Sequence, residues 1–107
     1  MQISKYFRKM RNHKLEKLQA GETFITSERG NSMSPLIRSR QKHKLAPVKN
    51  WEDCKKDDIV YCKVRGNFYT HLVKRKGITK GLLIGNNKGK TNGWTKQVYG
   101  KVIQIID

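Results

Sequence analysis

From Gly21 onward, glycine, asparagine and proline cut this chain into short runs rich in β-branched and aromatic residues. That punctuation favours short strands over helices. Thr23-Phe24-Ile25-Thr26 reads as a first strand, and the turn formers of Gly30-Asn31-Ser32-Met33-Ser34-Pro35 end it. Residues 43–48 are a second strand, with Pro47 confining it to an edge or marking its end. Residues 51–58 are polar and read as a loop or helical turn. Residues 59–64 alternate, with Val60, Cys62 and Val64 on one face and Ile59, Tyr61 and Lys63 on the other. Arg65-Gly66-Asn67 is a hairpin turn, residues 68–76 the returning strand, and Gly77 the next turn. Leu82-Leu83-Ile84 forms another strand before Gly85-Asn86-Asn87. Residues 88–96 read as a Gly-, Lys- and Asn-rich loop around Trp94, and residues 98–106, interrupted by Gly100, as the closing strand. The expected class is mainly β: a curled, mostly antiparallel sheet or partial barrel.

Before Gly21 the period is helical. Ile3, Tyr6, Phe7 and Met10, with Leu15 and Leu18, make an apolar stripe over residues 2–19, and Gly21 is a natural stop. Lys5, Arg8, Lys9, Arg11, Lys14 and Lys17 occupy the other face. The chain therefore divides into a basic amphipathic helix, residues 1–20, and a β domain, residues 21–107. The helix either packs on the domain with its basic face solvated, or also lies along a phosphate backbone or an acidic partner.

Lys and Arg outnumber Asp and Glu by 24 to 8, for a formal net charge of +16 over 107 residues. Such a surface attracts phosphate polymers, anionic lipids or acidic proteins. No run approaches the roughly 18 apolar residues of a membrane span. The first residues lack the apolar core of a signal peptide, so a soluble protein retained where it is made is expected. Two cysteines, Cys54 and Cys62, make no disulfide framework and read as reduced, partly buried thiols. His13, His43 and His71 have no ligand spacing, so neither a metal nor another cofactor is expected.

Several stretches, in order, resemble the LexA/signal-peptidase superfamily of serine peptidases. Gly30-Asn31-Ser32-Met33-Ser34-Pro35 matches the Gly-x-Ser-Met-x-Pro box of signal peptidases and, through Ser-Met, that of LexA-type proteins. Lys55-Lys56-Asp57-Asp58-Ile59-Val60 looks like the Gly-Asp-Ile-Val entry to the family's central hairpin, with Asp57 where the family has Gly, which implies a turn made differently. Tyr69-Thr70-His71-Leu72-Val73-Lys74-Arg75, then Leu82-Leu83-Ile84-Gly85-Asn86-Asn87, then Tyr99-Gly100-Lys101-Val102-Ile103 resemble the catalytic strand, the segment after it and the closing strand. The likeness covers nearly everything after residue 21. It implies Ser32 as nucleophile, activated by a base on the central hairpin strand, with the Ser32 amide as an oxyanion donor.

Lys74-Arg75 looks like the family's Lys-Arg dipeptide, but register favours another base. The spacing back from Leu82-Leu83 and Asn86 lands on His71, and Lys74 would need three residues removed. Histidine in this position is the pattern of the endoplasmic-reticulum branch of signal peptidases, although here Leu72 rather than Arg follows it. Histidine titrates near 6.5 and needs no deep desolvation to act as a base. His71 is thus the first choice and Lys74 the second. No Asp or Glu is clearly placed to orient His71, which leaves a dyad.

LexA-type proteins cleave themselves well upstream of the serine. Ala20-Gly21 is the small-residue bond available here, but only eleven residues separate Gly21 from Ser32, too few for that loop. With no helix-turn-helix domain and no membrane anchor, the chain looks most like the small peptidase-like proteins of bacteriophages, in the cytoplasm of a bacterial or phage-infected cell. Three functions stay open. One is a peptidase acting on a partner protein, an acidic one included. The second is an inactive module gripping nucleic acid with the basic helix, Lys88, Lys90 and a stacking Trp94. The third is an inhibitor of a host factor.

Overall fold

The computed structural model describes residues 12–107. Its single α-helix among those residues, α1, runs His13–Gln19, and a 3-10 turn follows at Trp51–Asp53. The stripe over residues 2–19 predicts one continuous helix, but Asn12 is an N-cap in extended conformation whose Oδ1 accepts from the Leu15 amide at 3.0 Å. Asparagine competes well for this role, because its side chain satisfies an amide that the helix start leaves orphaned. The residues before Asn12 lie outside the described part. At the other end Gly21 takes φ 86°, and the Gly21 and Glu22 amides donate back to the Leu18 and Lys17 carbonyls, a Schellman stop.

Seven strands follow among the described residues: β1 Phe24–Thr26, β2 His43–Pro47, β3 Ile59–Val64, β4 Asn67–Lys76, β5 Leu82–Gly85, β6 Thr91–Thr95 and β7 Val98–Ile105. They form one sheet in the order β1-β2-β7-β3-β4-β5-β6, every neighbouring pair antiparallel. The mainly-β expectation holds, and the sheet is curled but not closed into a barrel. Pro47 ends β2 beyond the residues that pair with β1, where its missing N–H costs no ladder bond on that side.

The β3–β4 hairpin turns at Arg65 and Gly66, both with positive φ, as a right-twisted two-residue turn requires. The alternation read in β3 is what the sheet uses. Val60, Cys62 and Val64 join Cys54, Val73, Leu82, Ile84 and Val98 in one core. Across the sheet Tyr61 packs with Leu18 and Leu45, and Ile59 lies against Met33, Ile37 and Leu72. Fully burying an aliphatic side chain of this size contributes about 1.5–3 kcal/mol, so both faces are needed to hold so small and charged a chain. Gly100 lets the helix dock on β7: a β-carbon there would meet Leu18 Cδ1 at 2.8 Å.

Two expectations need correction. Residues 91–95, read as part of a loop, are β6. The Thr-Asn-Gly-Trp-Thr run has no clean alternation, and pairing with β5 makes it a strand, with a bulge beside Gly85. The Thr95 hydroxyl then donates to the Lys63 carbonyl at 2.6 Å, which curls the end of the sheet back over β3. The turn before β3 is also made as a glycine would make it. Asp57 itself takes φ 75°, a conformation that Asp tolerates better than most residues.

Cys54 and Cys62 are both free and buried. Burial, with a smaller contribution from Cys54, pushes the Cys62 thiol up to about 12 from its ordinary 9.0. Above pH 9 the unfolded chain therefore gives up this proton before the folded one does. The contribution of Cys62 to stability is full below pH 9 and is lost as pH rises toward 12. Urea midpoints measured across that range should fall less steeply for Cys62→Ala than for the wild type; parallel slopes would contradict the assignment.

Candidate active site

Ser32 sits in the loop between β1 and β2, and that loop is held from three directions. The Gly30 amide donates to Ser39 Oγ at 3.1 Å. Met33 and Ile37 bury their side chains against Leu72 of β4. Asn87, just past β5, donates its amide to the Ser32 carbonyl at 2.8 Å and its Nδ2 to the Ser34 carbonyl at 2.9 Å. Pairing of β4 with β5 begins only at Leu72, opposite Gly85, and the chain then turns away through Asn86 and Asn87. The serine loop docks at that divergence, beside the next residue down β4, which is His71.

His71 is buried and Ser32 exposed. The His71 Nε2 lies 3.2 Å from Ser32 Oγ, and Nδ1 lies 2.7 Å from Asn92 Oδ1 on β6. Tyr69, two residues earlier on the same strand face, stacks on the imidazole with ring centroids 5.0 Å apart. With Nδ1–H donating to the Asn92 oxygen, the Nε2 lone pair faces the serine hydroxyl, the tautomer a general base needs. The serine contact is long for an O–H···N bond but within reach, as such contacts often are without substrate. Among the described residues the Ser32 amide donates to no protein acceptor, which leaves it for an incoming carbonyl oxygen.

A small cavity of about 30 Å³ adjoins Ser32, lined by Glu28, Gly30, Met33, Ile37, Arg38 and Thr70 among others. Its inner wall is fixed by Glu28, whose Oε2 accepts from Thr70 Oγ1 at 2.7 Å and pairs with Lys14.

Of the two bases weighed from the sequence, His71 is the one hydrogen-bonded to Ser32. Lys74 is the bulged residue between Val73 and Arg75, and its Cγ and Cε lie across Gly85. Asn92 is not legible from the sequence as a partner of His71, because it is no carboxylate and its segment reads as loop. Asn87 lies within the Leu82 to Asn87 stretch, and no pattern there marks it as a donor to the serine loop.

Among the described residues, the basic side chains singled out in the sequence lie on separate elements. Lys5, Arg8, Lys9 and Arg11 lie outside the described residues. Lys14 pairs with Glu28 and its ammonium stands 5.1 Å from the Tyr61 ring centre, while Lys17 covers Phe24 at 4.9 Å. Both are on α1, which packs on β2 and β7. Lys88 and Lys90 are exposed in the β5–β6 turn, on the far side of β3 and β4 in the sheet order, with their amides tied to Asn86 Oδ1. Trp94 is half-buried, borders Gly77 and carries Lys80 over its ring at 5.7 Å. Among the described residues no three His, Cys, Asp or Glu side chains converge as metal ligands, and no helix is long and apolar enough to cross a membrane. Compared with family models, curated proteins and solved structures, the chain matches none.

Proposed function

We propose that this protein is a serine peptidase of the LexA/signal-peptidase type, with Ser32 as nucleophile, His71 as general base and Asn92 as the group that orients His71. The observation that carries the proposal is one imidazole hydrogen-bonded to a loop serine on one nitrogen and to an amide oxygen on the other. Ser32 Oγ attacks the scissile carbonyl while its proton passes to His71 Nε2. The oxyanion of the tetrahedral intermediate accepts from the Ser32 amide. As the C–N bond breaks, the imidazolium returns the proton to the leaving amine, and the same nitrogen then activates water to release the acyl group. The 30 Å³ cavity favours a small side chain beside the cleaved bond. Two free thiols fit a reducing compartment such as the cytoplasm.

A fluorophosphonate probe tests this directly. Wild type should be labelled on Ser32 and Ser32→Ala should not; absence of labelling on folded protein between pH 6 and 9 would remove the proposal. Asn87→Ala should slow labelling by roughly threefold to tenfold and cost about 1 kcal/mol of stability, because it frees the Ser34 carbonyl without touching the reacting groups. Equal labelling rates in the two proteins would show that this bond does not position the loop.

A second reading rests on the +16 charge and the exposed Lys88 and Lys90: an inactive module of the same fold that holds nucleic acid or blocks a host factor. It predicts binding to oligonucleotides that weakens steeply with salt.

A further inference from the structure

Beside the serine loop lies a much larger concavity, about 540 Å³, lined by Arg38, Ser39, Arg40, Gln41, Lys42, Ile106 and Asp107. Arg38 borders both this groove and the small cavity at Ser32, so the two are contiguous through one side chain. Ser39, another lining residue, accepts the Gly30 hydrogen bond and couples the groove wall to the nucleophile loop.

Three cations, Arg38, Arg40 and Lys42, face this groove, and Asp107 is the acidic residue in its lining. All three are exposed, and among the described residues none forms an ion pair. Five other cations are occupied: Lys14 and Lys101 pair with carboxylates, and Lys17, Lys63 and Lys80 lie over aromatic rings. The groove backbone is fixed. The Arg38 amide donates to Gln41 Oε1, the Gln41 amide to the Arg38 carbonyl, and Gln41 Nε2 to the Ile106 carbonyl. Arg40 is held at φ 65°, an uncommon conformation for a residue with a β-carbon, while its amide donates to the Glu28 carbonyl. A turn ordered in this way, presenting two guanidinium forks and an ammonium, is organised for planar anions.

We propose that Arg38, Arg40 and Lys42 bind a carboxylate-rich segment of the polypeptide whose backbone is cut at Ser32, so that the substrate is an acidic protein. This rests on the peptidase reading of Ser32. A peptide lying in the small cavity meets Arg38 first and continues into the groove. Single-stranded nucleic acid is the less suitable occupant: no aromatic side chain lines the groove, and bases would have no face to stack on. Lys88 and Lys90, in the turn after Asn87, add positive potential on the other side of the serine loop and favour the same substrates over long range.

The experiment compares quenched fluorescent decapeptides centred on Ala-Ala and flanked by Glu or by Gln, using the full chain. Fluorophosphonate labelling of Ser32 is measured first, so that loss of the peptidase reading is recognised separately. In protein that is labelled, the Glu-flanked peptide should be cut at least about tenfold faster at low salt, with the advantage shrinking as salt rises. The combined variant Arg38→Gln, Arg40→Gln, Lys42→Gln should lose that advantage while keeping its melting temperature, and Arg40→Gln, Lys42→Gln, which leaves the lining of the Ser32 cavity intact, should lose part of it at an unchanged labelling rate. A charge-matched variant, Lys49→Gln, Lys55→Gln, Lys96→Gln, alters exposed residues outside both cavities and should keep it. Equal cutting of the two peptides, or equal loss in the combined and the charge-matched variants, overturns the proposal. So does a single-stranded oligonucleotide that binds through the three groove residues without slowing cleavage of the Glu-flanked peptide.

Discussion

Alanine at His71 should reduce the reaction of Ser32 with a fluorophosphonate, and turnover of any peptide substrate, by about 10⁴-fold or more, matching the loss in Ser32→Ala. A serine hydroxyl is a weak nucleophile unless a neighbouring base accepts its proton, and His71 Nε2 is the basic atom in hydrogen-bond contact with Ser32 Oγ. Lys74→Ala provides the counter-test. Its side chain lies over Gly85, so this variant should label at close to the wild-type rate. The opposite result, activity lost in Lys74→Ala and kept in His71→Ala, would return the chain to a Ser-Lys scheme and remove His71 from the chemistry. Because His71 is buried, urea midpoints of both variants should accompany the labelling rates, so that lost reactivity is not mistaken for lost folding.

The parts of the fold legible from the sequence are those where local chemistry and tertiary packing agree. The β3 alternation was visible because one face holds Val60, Cys62 and Val64 in the core and the other holds Tyr61 against Leu45. The Arg65-Gly66 turn was visible because glycine permits the hairpin's twist. Asn12 is a contrary case. Its place within an apolar stripe suggested an uninterrupted helix, yet its side chain gains more by capping the next turn and by donating to the Tyr61 hydroxyl at 2.6 Å. Asp57 made a glycine's turn without being glycine. In β6 the deciding forces are long-range: Asn92 and Gly93 interrupt the strand-forming Thr and Trp residues, and the run is ordered by the edge that β5 offers and by the Thr95 bond to β3.

In the candidate site, Ser32 and His71 are legible through the resemblance, since both fall at the offsets of its boxes. Their partners were harder to see for a physical reason. Asn87 acts through a backbone amide and a side-chain donor aimed at carbonyls of another loop, and no residue-type pattern announces such bonds. Asn92 lies twenty-one residues beyond His71 and reaches it only because the sheet curls. The groove cations are not legible as a set, since the sequence proximity of Arg38, Arg40 and Lys42 does not reveal that they line one concavity, within a chain whose net charge is +16.

Asn92 carries the other large effect. Asn92→Leu should lower kcat/KM by about 10²–10³-fold with little change in KM, because the imidazole loses the acceptor that fixes its Nδ1–H and with it the orientation of Nε2. Asn92→Asp should act in the other direction, raising kcat by about tenfold. A carboxylate can only accept, so it enforces the tautomer that an amide enforces only with its oxygen turned toward the ring, and its charge stabilises the imidazolium formed as Ser32 attacks. Asn92 is half-buried rather than sealed in the core, which keeps the cost of placing a carboxylate there modest. The Nδ1 proton should give a downfield resonance in the wild type that is lost in Asn92→Leu and sharper in Asn92→Asp. Unchanged kinetics in Asn92→Leu would reduce its contact with His71 to packing and leave Ser32 and His71 as a dyad. A fall in kcat for Asn92→Asp would mean that a neutral partner is required at Nδ1.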